Sequence, residues 1–90
     1  MLGDGLAPLF TSRTRARVLA RLLSEPKAGF GVREMAKRVK LNVAGVQREM
    51  RRLYGLHLVR GEKRGTGVRY RFNERHPLYG DLRRLFKRAR

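Results

Sequence analysis

The chain has 90 residues, 41% of them apolar and none cysteine. That is enough for one domain with a modest core, and it excludes a disulfide framework, a Cys-based zinc site and a Cys redox site. Against 7 Asp and Glu stand 23 Lys and Arg, a net charge of +16.

The net charge by thirds of the chain is +3, +6 and +7, so positive charge gathers after residue 30. Eighteen of the basic residues are Arg and five are Lys. Arg offers a planar fork that fits phosphate oxygens and base edges. Chains from Arg-rich proteomes usually balance Arg with Glu, and this one does not. Nucleic acid is therefore the expected partner, ahead of an anionic membrane or an acidic protein.

Residues 1–10, "MLGDGLAPLF", read as a loose arm. They have no basic lead and only short apolar runs, so neither a signal peptide nor a membrane span is expected. Thr11 or Ser12 can cap a helix that runs to about Ser24, with Pro26 closing it. Its apolar stripe is Val18, Leu19, Leu22 and Leu23. Arg13, Arg17 and Arg21 line another face, where a solvated row and a phosphate-contacting row are both open readings. "KAGFGV" follows as a loop with room for a short strand, Phe30 being its core anchor.

The stretch "EMAKRVKLNVAGVQREM" looks like one long basic helix but divides at Lys40-Leu41-Asn42. A helix over about 32–39 buries Met35, Ala36 and Val39. Asn42 is a poor interior residue and a good cap, and the apolar spacing restarts at Val43, Val46, Met50 and Leu53. Two helices joined by a tight turn form a helix-turn-helix, whose second helix is placed to enter a DNA major groove. Opposite that seam lie Ala44, Gly45, Arg48, Arg51 and Arg52, with Gln47 on its flank. Small residues near a helix start allow close approach, and Gln and Arg read adenine and guanine edges. A merely solvated face would mix Glu with Lys at i, i+4; here only Glu49 is acidic.

Beyond it, "LHLVRGEKR" and "VRYRFN" flank Gly65-Thr66-Gly67. Val68, Tyr70 and Phe72 alternate with Arg69 and Arg71, which predicts a β-hairpin, or wing, with Lys63 and Arg64 at its tip. Its apolar face is expected to pack on the domain, base stacking being the other use of the aromatics. The tail "HPLYGDLRRLFKRAR" predicts a last helix opening at Pro77, with Leu78, Leu82, Leu85 and Phe86 on one face. That face must pack on its own domain or on a second copy.

The segments "LFTSRTRARVLARLL", "REMAKRVKLNVAGVQREMRRL" and Val59 to Asn73 followed by "HPLY" resemble the small winged helix-turn-helix regulators of the ArsR/MarR-like superfamily. The subgroup sometimes found ahead of a minimal nucleotidyltransferase is the most similar. The resemblance implies a mainly α fold with a small hairpin, in the order helix, short strand, two helices, hairpin, helix. It divides the chain into the arm, a DNA-binding domain over 11–76 and a terminal helix over 77–90 that can serve dimerisation. It makes 42–54 the recognition helix and 60–71 the wing, in a sequence-specific, double-stranded-DNA-binding regulator of the cytoplasm and its nucleoid.

The expected base readers are Asn42, Val43, Ala44, Gly45, Gln47, Arg48 and Arg51. The expected backbone contacts are Arg33, Lys37, Lys40, Arg52, Lys63, Arg64, Thr66, Arg69 and Arg71. A homodimer is expected; cofactor, membrane and catalysis are not, and no residue pattern specifies an effector. Two departures stand out. Members usually place Gly where this chain has His57, while here Gly stands at 55, so the recognition helix can end at either place. The Cys pair of metal-sensing members is absent, and His57, His76 and Asp81 are too scattered to form a ligand set. An RNA-binding or architectural protein is one alternative. A targeting module of a nucleotidyltransferase is another, although the Gly-Ser…Asp-x-Asp pattern of such an enzyme is missing.

Overall fold

Ser12 sits in extended backbone and its hydroxyl accepts the Arg15 N–H, which starts the first described helix. The computed structural model describes residues 12–88; the 1–10 arm and the Thr11 cap lie outside them. The elements are α1 (Arg13–Ser24), α2 (Val32–Val39), α3 (Val43–Gly55), β1 (Val59–Arg64), β2 (Gly67–Phe72) and α4 (Tyr79–Arg88). This is a mainly helical winged helix-turn-helix, as expected. The short strand is reduced to a single antiparallel bridge, Phe30 with Tyr70, whose two backbone bonds are each 2.8 Å.

The helix-turn-helix corner lies at Lys40 and Asn42, for two local reasons. Lys40 adopts the left-handed conformation at φ 57°, its N–H reaching Lys37 O and the Leu41 N–H reaching Ala36 O. These two bonds are the Schellman closure of a helix end. Asn42 then accepts the Gly45 N–H at 3.1 Å and opens α3. The far end of α3 closes in the same way. His57, at φ 62°, donates to Tyr54 O, and Leu58 donates to Leu53 O. The left-handed cap is therefore His57, while Gly55 is an ordinary residue of the last helical turn.

All three helices of the first half bury one face against a common core. It contains Val18, Leu19, Leu22 and Leu23 of α1, Met35, Ala36 and Val39 of α2, and Val46, Met50 and Leu53 of α3. Phe30, Leu58, Val59 and Phe72 complete it from the loops and hairpin. Val43 departs from the expected seam, being 39% exposed. It is the first residue of α3, and the helix turns its face inward only one turn later, at Val46.

In the hairpin Val59 pairs with Phe72 and Arg64 with Gly67, leaving Gly65-Thr66 as a two-residue loop. Only Gly65 takes a positive φ there (58°), the requirement of a hairpin with glycine at its first loop position. The apolar face of β2 is graded rather than wholly buried. Phe72 is in the core, Tyr70 is half-buried and Val68 is 38% exposed, because the hairpin runs out past the edge of the domain.

The last helix starts at Tyr79 rather than Pro77, which lies in the turn before it. His76 Nδ1 accepts the Leu78 N–H, and the first helical bond runs from Leu82 to Leu78 O. Of the two uses open to the apolar stripe of this helix, packing on its own domain is the one seen. Leu82 is fully buried, and Leu78, Leu85 and Phe86 pack half-buried against the same core. Burying a leucine in this way contributes about 1.5–3 kcal/mol.

Candidate nucleic-acid interface

One face of α3 is left outside the core, and it carries most of the expected base readers. Asn42, Val43, Ala44, Gln47, Arg48, Arg51 and Arg52 are exposed and Gly45 is half-buried. Asn42 faces its own helix, its side-chain oxygen engaged by Gly45. Val43 instead lines a groove of 590 Å³ between α2 and α3, beside Ala36, Leu41, Arg33, Lys37 and Glu34, the last bound to Arg38 and Arg69. The structure thus joins the start of the recognition helix to the two basic residues expected on α2.

The charge on this face is uncompensated because the acidic residues are engaged elsewhere. Glu49 points inward from α3 and binds Arg15 Nε at 2.7 Å, both side chains being under 10% exposed. Glu34 pairs with Arg38 and Arg69, and Glu62 with Arg64 and Arg71. Among the described residues, Arg33, Lys37, Arg48, Arg51, Arg52 and Lys63 have no acidic partner within ion-pair distance. The single acid read from sequence as part of the outer face of α3 is therefore a core residue. Its spacing, three after Val46 and four before Leu53, does place it on the buried seam; what no periodicity reveals is its partner, 34 residues away.

The expected wing residues fall into two groups. Lys63, Arg64 and Thr66 project at the exposed tip. Arg69 turns back to the body, donating to Gly29 O and to Glu34 Oε1 at 3.1 Å. Arg71 is half-buried, 3.6 Å from Glu62.

Between helix and wing lies a residue that sequence reasoning missed. Tyr54, 56% exposed, meets Tyr70 edge to face at 6.4 Å. Gly61 permits the contact, because a Cβ there would stand 3.3 Å from Val68 and 3.4 Å from Tyr70. Gln47, Arg51 and Tyr54 recur at i, i+4 and i+7, a spacing that could have placed the tyrosine on the same flank.

Among the described residues no three His, Cys, Asp or Glu side chains gather into a metal-ligand group, and no helix is long and apolar enough to cross a membrane. His57 is exposed at the α3 cap, and Asp81 is paired with Arg84.

A helix-turn-helix with a basic outward helix and a two-stranded wing defines the winged helix-turn-helix class. The chain shares this fold with several solved transcriptional regulators. Its backbone matches the AntR antimony-specific transcriptional repressor with a TM-score of 0.75 at 22% identity, over 94% of this chain and 73% of the other. A predicted DNA-binding transcriptional regulator from E. coli matches at 0.76 and 14% identity, over 96% and 86% of the two chains. A third match, at 0.65 and 21% identity over 93% and 70%, is a homodimeric winged helix-turn-helix DNA-binding domain from Mycobacterium bovis. That protein is described as a possible ArsR-family transcriptional regulator. No family model matches the sequence, and neither does any curated protein.

Proposed function

We propose that the protein is a sequence-specific, double-stranded-DNA-binding transcriptional regulator without catalytic activity, working in the cytoplasm as a homodimer. The observation that carries this is the outer face of α3, where Gln47, Arg48, Arg51 and Arg52 stand exposed and without acidic partners among the described residues. With α3 in the major groove, Gln47, Arg48 and Arg51 reach base edges, and Val43 with Ala44 offers apolar contact to a thymine methyl. Asn42 and Gly45 shape the helix start that approaches the groove. Arg33, Lys37, Lys40 and Arg52, together with Lys63, Arg64 and Thr66 of the wing tip, bind backbone phosphates. Arg69 and Arg71 join that set only by exchanging Glu34 and Glu62 for phosphate.

The solved domain from Mycobacterium bovis is homodimeric, and the reading length of a single helix gives an independent reason for pairing. One α3 spans only a few base pairs, too few to specify a site in a genome. Two copies related by a two-fold axis place their helices about 34 Å apart, on a pseudo-palindrome. The apolar surface available for pairing is the part of Leu85 and Phe86 that the core leaves uncovered, at the edges of the packed face of α4, not the buried Leu82.

Competition between duplex DNA and structured RNA at one salt concentration tests the partner. Selection from a random duplex library then gives the site. Preference for duplex and a palindromic motif are expected. Preference for RNA, or an absence of any enriched motif, overturns the proposal in favour of an RNA-binding or architectural protein.

A further inference from the structure

We propose that the hollow between α1 and the end of α2 is a phosphodiester-binding site, separate from the recognition helix and the wing. It takes backbone phosphates of the duplex bordering the recognised groove. The site rests on the duplex-binding function proposed above, shares Lys40 with it, and adds Arg17 and Arg21 of α1 and Arg38 of α2 to its phosphate contacts.

The hollow is an open surface depression of about 400 Å³, and four cationic side chains line it: Arg17, Arg21, Arg38 and Lys40, with Ala20, Ser24 and Val39 between them. Carboxylates reach this ring only loosely. Glu25 lies 4.0 Å from Arg21, and Glu34 lies 4.0 Å from Arg38 while also bound to Arg69. Like charges lining one hollow repel one another, and an anion among them offsets the repulsion. No aromatic ring lines the hollow to stack a base. Recognition there is by charge, which suits a phosphodiester rather than a nucleotide.

Two features show that the ring is arranged rather than scattered. Arg17 donates from Nη1 to the Val39 carbonyl at 3.2 Å, which holds its guanidinium across the end of α2 and leaves other N–H groups for a ligand. Lys40 occupies a left-handed position, φ 57°, which glycine adopts without steric cost. A lysine there retains a cation at the corner of the helix-turn-helix in spite of that strain. Lys40 also stands two residues before Asn42, where α3 begins. Through Lys40 the ring therefore adjoins the start of the helix proposed to enter the major groove, whose bordering strand carries the phosphates.

The test uses the full chain and the duplex selected for it. The double variant Arg21→Gln/Arg38→Gln loses only two loose, exposed ion pairs, so it folds. Its slope of log K on log salt should be shallower by about 2 per protomer, at about 0.9 per phosphate contact, with the selected motif unchanged. Lys27→Gln/Arg75→Gln removes the same charge from exposed loops and should leave the slope near that of wild type. Lys40→Gly should raise the urea midpoint while weakening binding, opposite movements that a purely structural lysine does not produce.

Retention of the wild-type slope by the hollow variant, while Arg48→Ala still weakens binding, overturns the site and leaves the DNA-binding function standing. An equal fall in slope for the loop control also overturns it. Failure of the wild type itself to bind duplex overturns the function, and the site with it.

Discussion

Arg15 Nε donates to Glu49 Oε2 at 2.7 Å, with the two side chains only 7% and 8% exposed. The pair links the first turn of α1 to the middle of α3, on the face that Val46, Met50 and Leu53 turn inward. A buried pair of this kind is costly to break and cheap to replace as a whole, because a single deletion strands the other charge in a poorly solvated site. Arg15→Leu should therefore destabilise by about 3–5 kcal/mol. Arg15→Met combined with Glu49→Leu should recover most of that loss. Urea midpoints at constant m decide it; a single variant as stable as wild type would show that the pair does not hold α3.

The end of α3 gives a prediction whose sign depends on which residue closes the helix. With His57 in the left-handed cap and Gly55 inside the helix, His57→Gly should stabilise by up to about 1 kcal/mol. Gly55→Ala should stabilise by about 0.5–1 kcal/mol, since nothing lies within 4 Å of its added Cβ. If the helix instead ended at Gly55, Gly55→Ala would destabilise. Thermal or urea unfolding of the two variants distinguishes these outcomes.

Reader and clamp should separate by mutation. Arg48→Ala is expected to cost about 1–3 kcal/mol in duplex affinity and to relax preference at one base position in each half-site. Arg64→Ala, at the wing tip, should weaken all sequences about equally and make the salt slope shallower by about 0.9 per protomer. Identical specificity profiles for the two variants would show that the roles are misassigned.

Dimerisation is read by sedimentation at tens of micromolar. Phe86→Glu, at a half-buried position of α4, should shift the protein from dimer toward monomer while leaving the helical signal intact. Leu82→Ala should act on stability instead, costing about 2–5 kcal/mol, because that side chain lies wholly in the core. A wild type that is monomeric with and without DNA removes the dimer from the proposal.

Gly61 tests the coupling of helix and wing. Gly61→Val would press on Val68 and Tyr70, at 3.3 and 3.4 Å from the new Cβ, and should displace the hairpin from Tyr54. Duplex affinity should fall several-fold with the selected motif retained. Unchanged affinity would mean that the wing acts independently of the Tyr54–Tyr70 contact.

What the sequence determined by itself is local. Ser12 and Asn42 announce helix starts because a capping side chain acts on a backbone N–H only three residues on. The apolar spacings of α1, α2 and α3 reveal their buried faces because a helix repeats every 3.6 residues. Alternation around Gly65-Thr66 likewise shows the hairpin. The chain's charge, and the exposed side of α3, follow from the same patterns. Tertiary structure alone decided what depends on distant partners. Glu49 belongs to the core because Arg15, 34 residues earlier, meets it there. Leu82 is buried because α1 and the rest of the core receive α4, although its spacing suits a dimer face equally well. Val68 stays half out because the hairpin outruns the body it packs on. Lys40 and His57 take left-handed caps that their own propensities disfavour, each held by paired backbone bonds at a helix end. Periodicity reports which way a side chain points from its own helix; only packing decides whether a second surface is there to receive it.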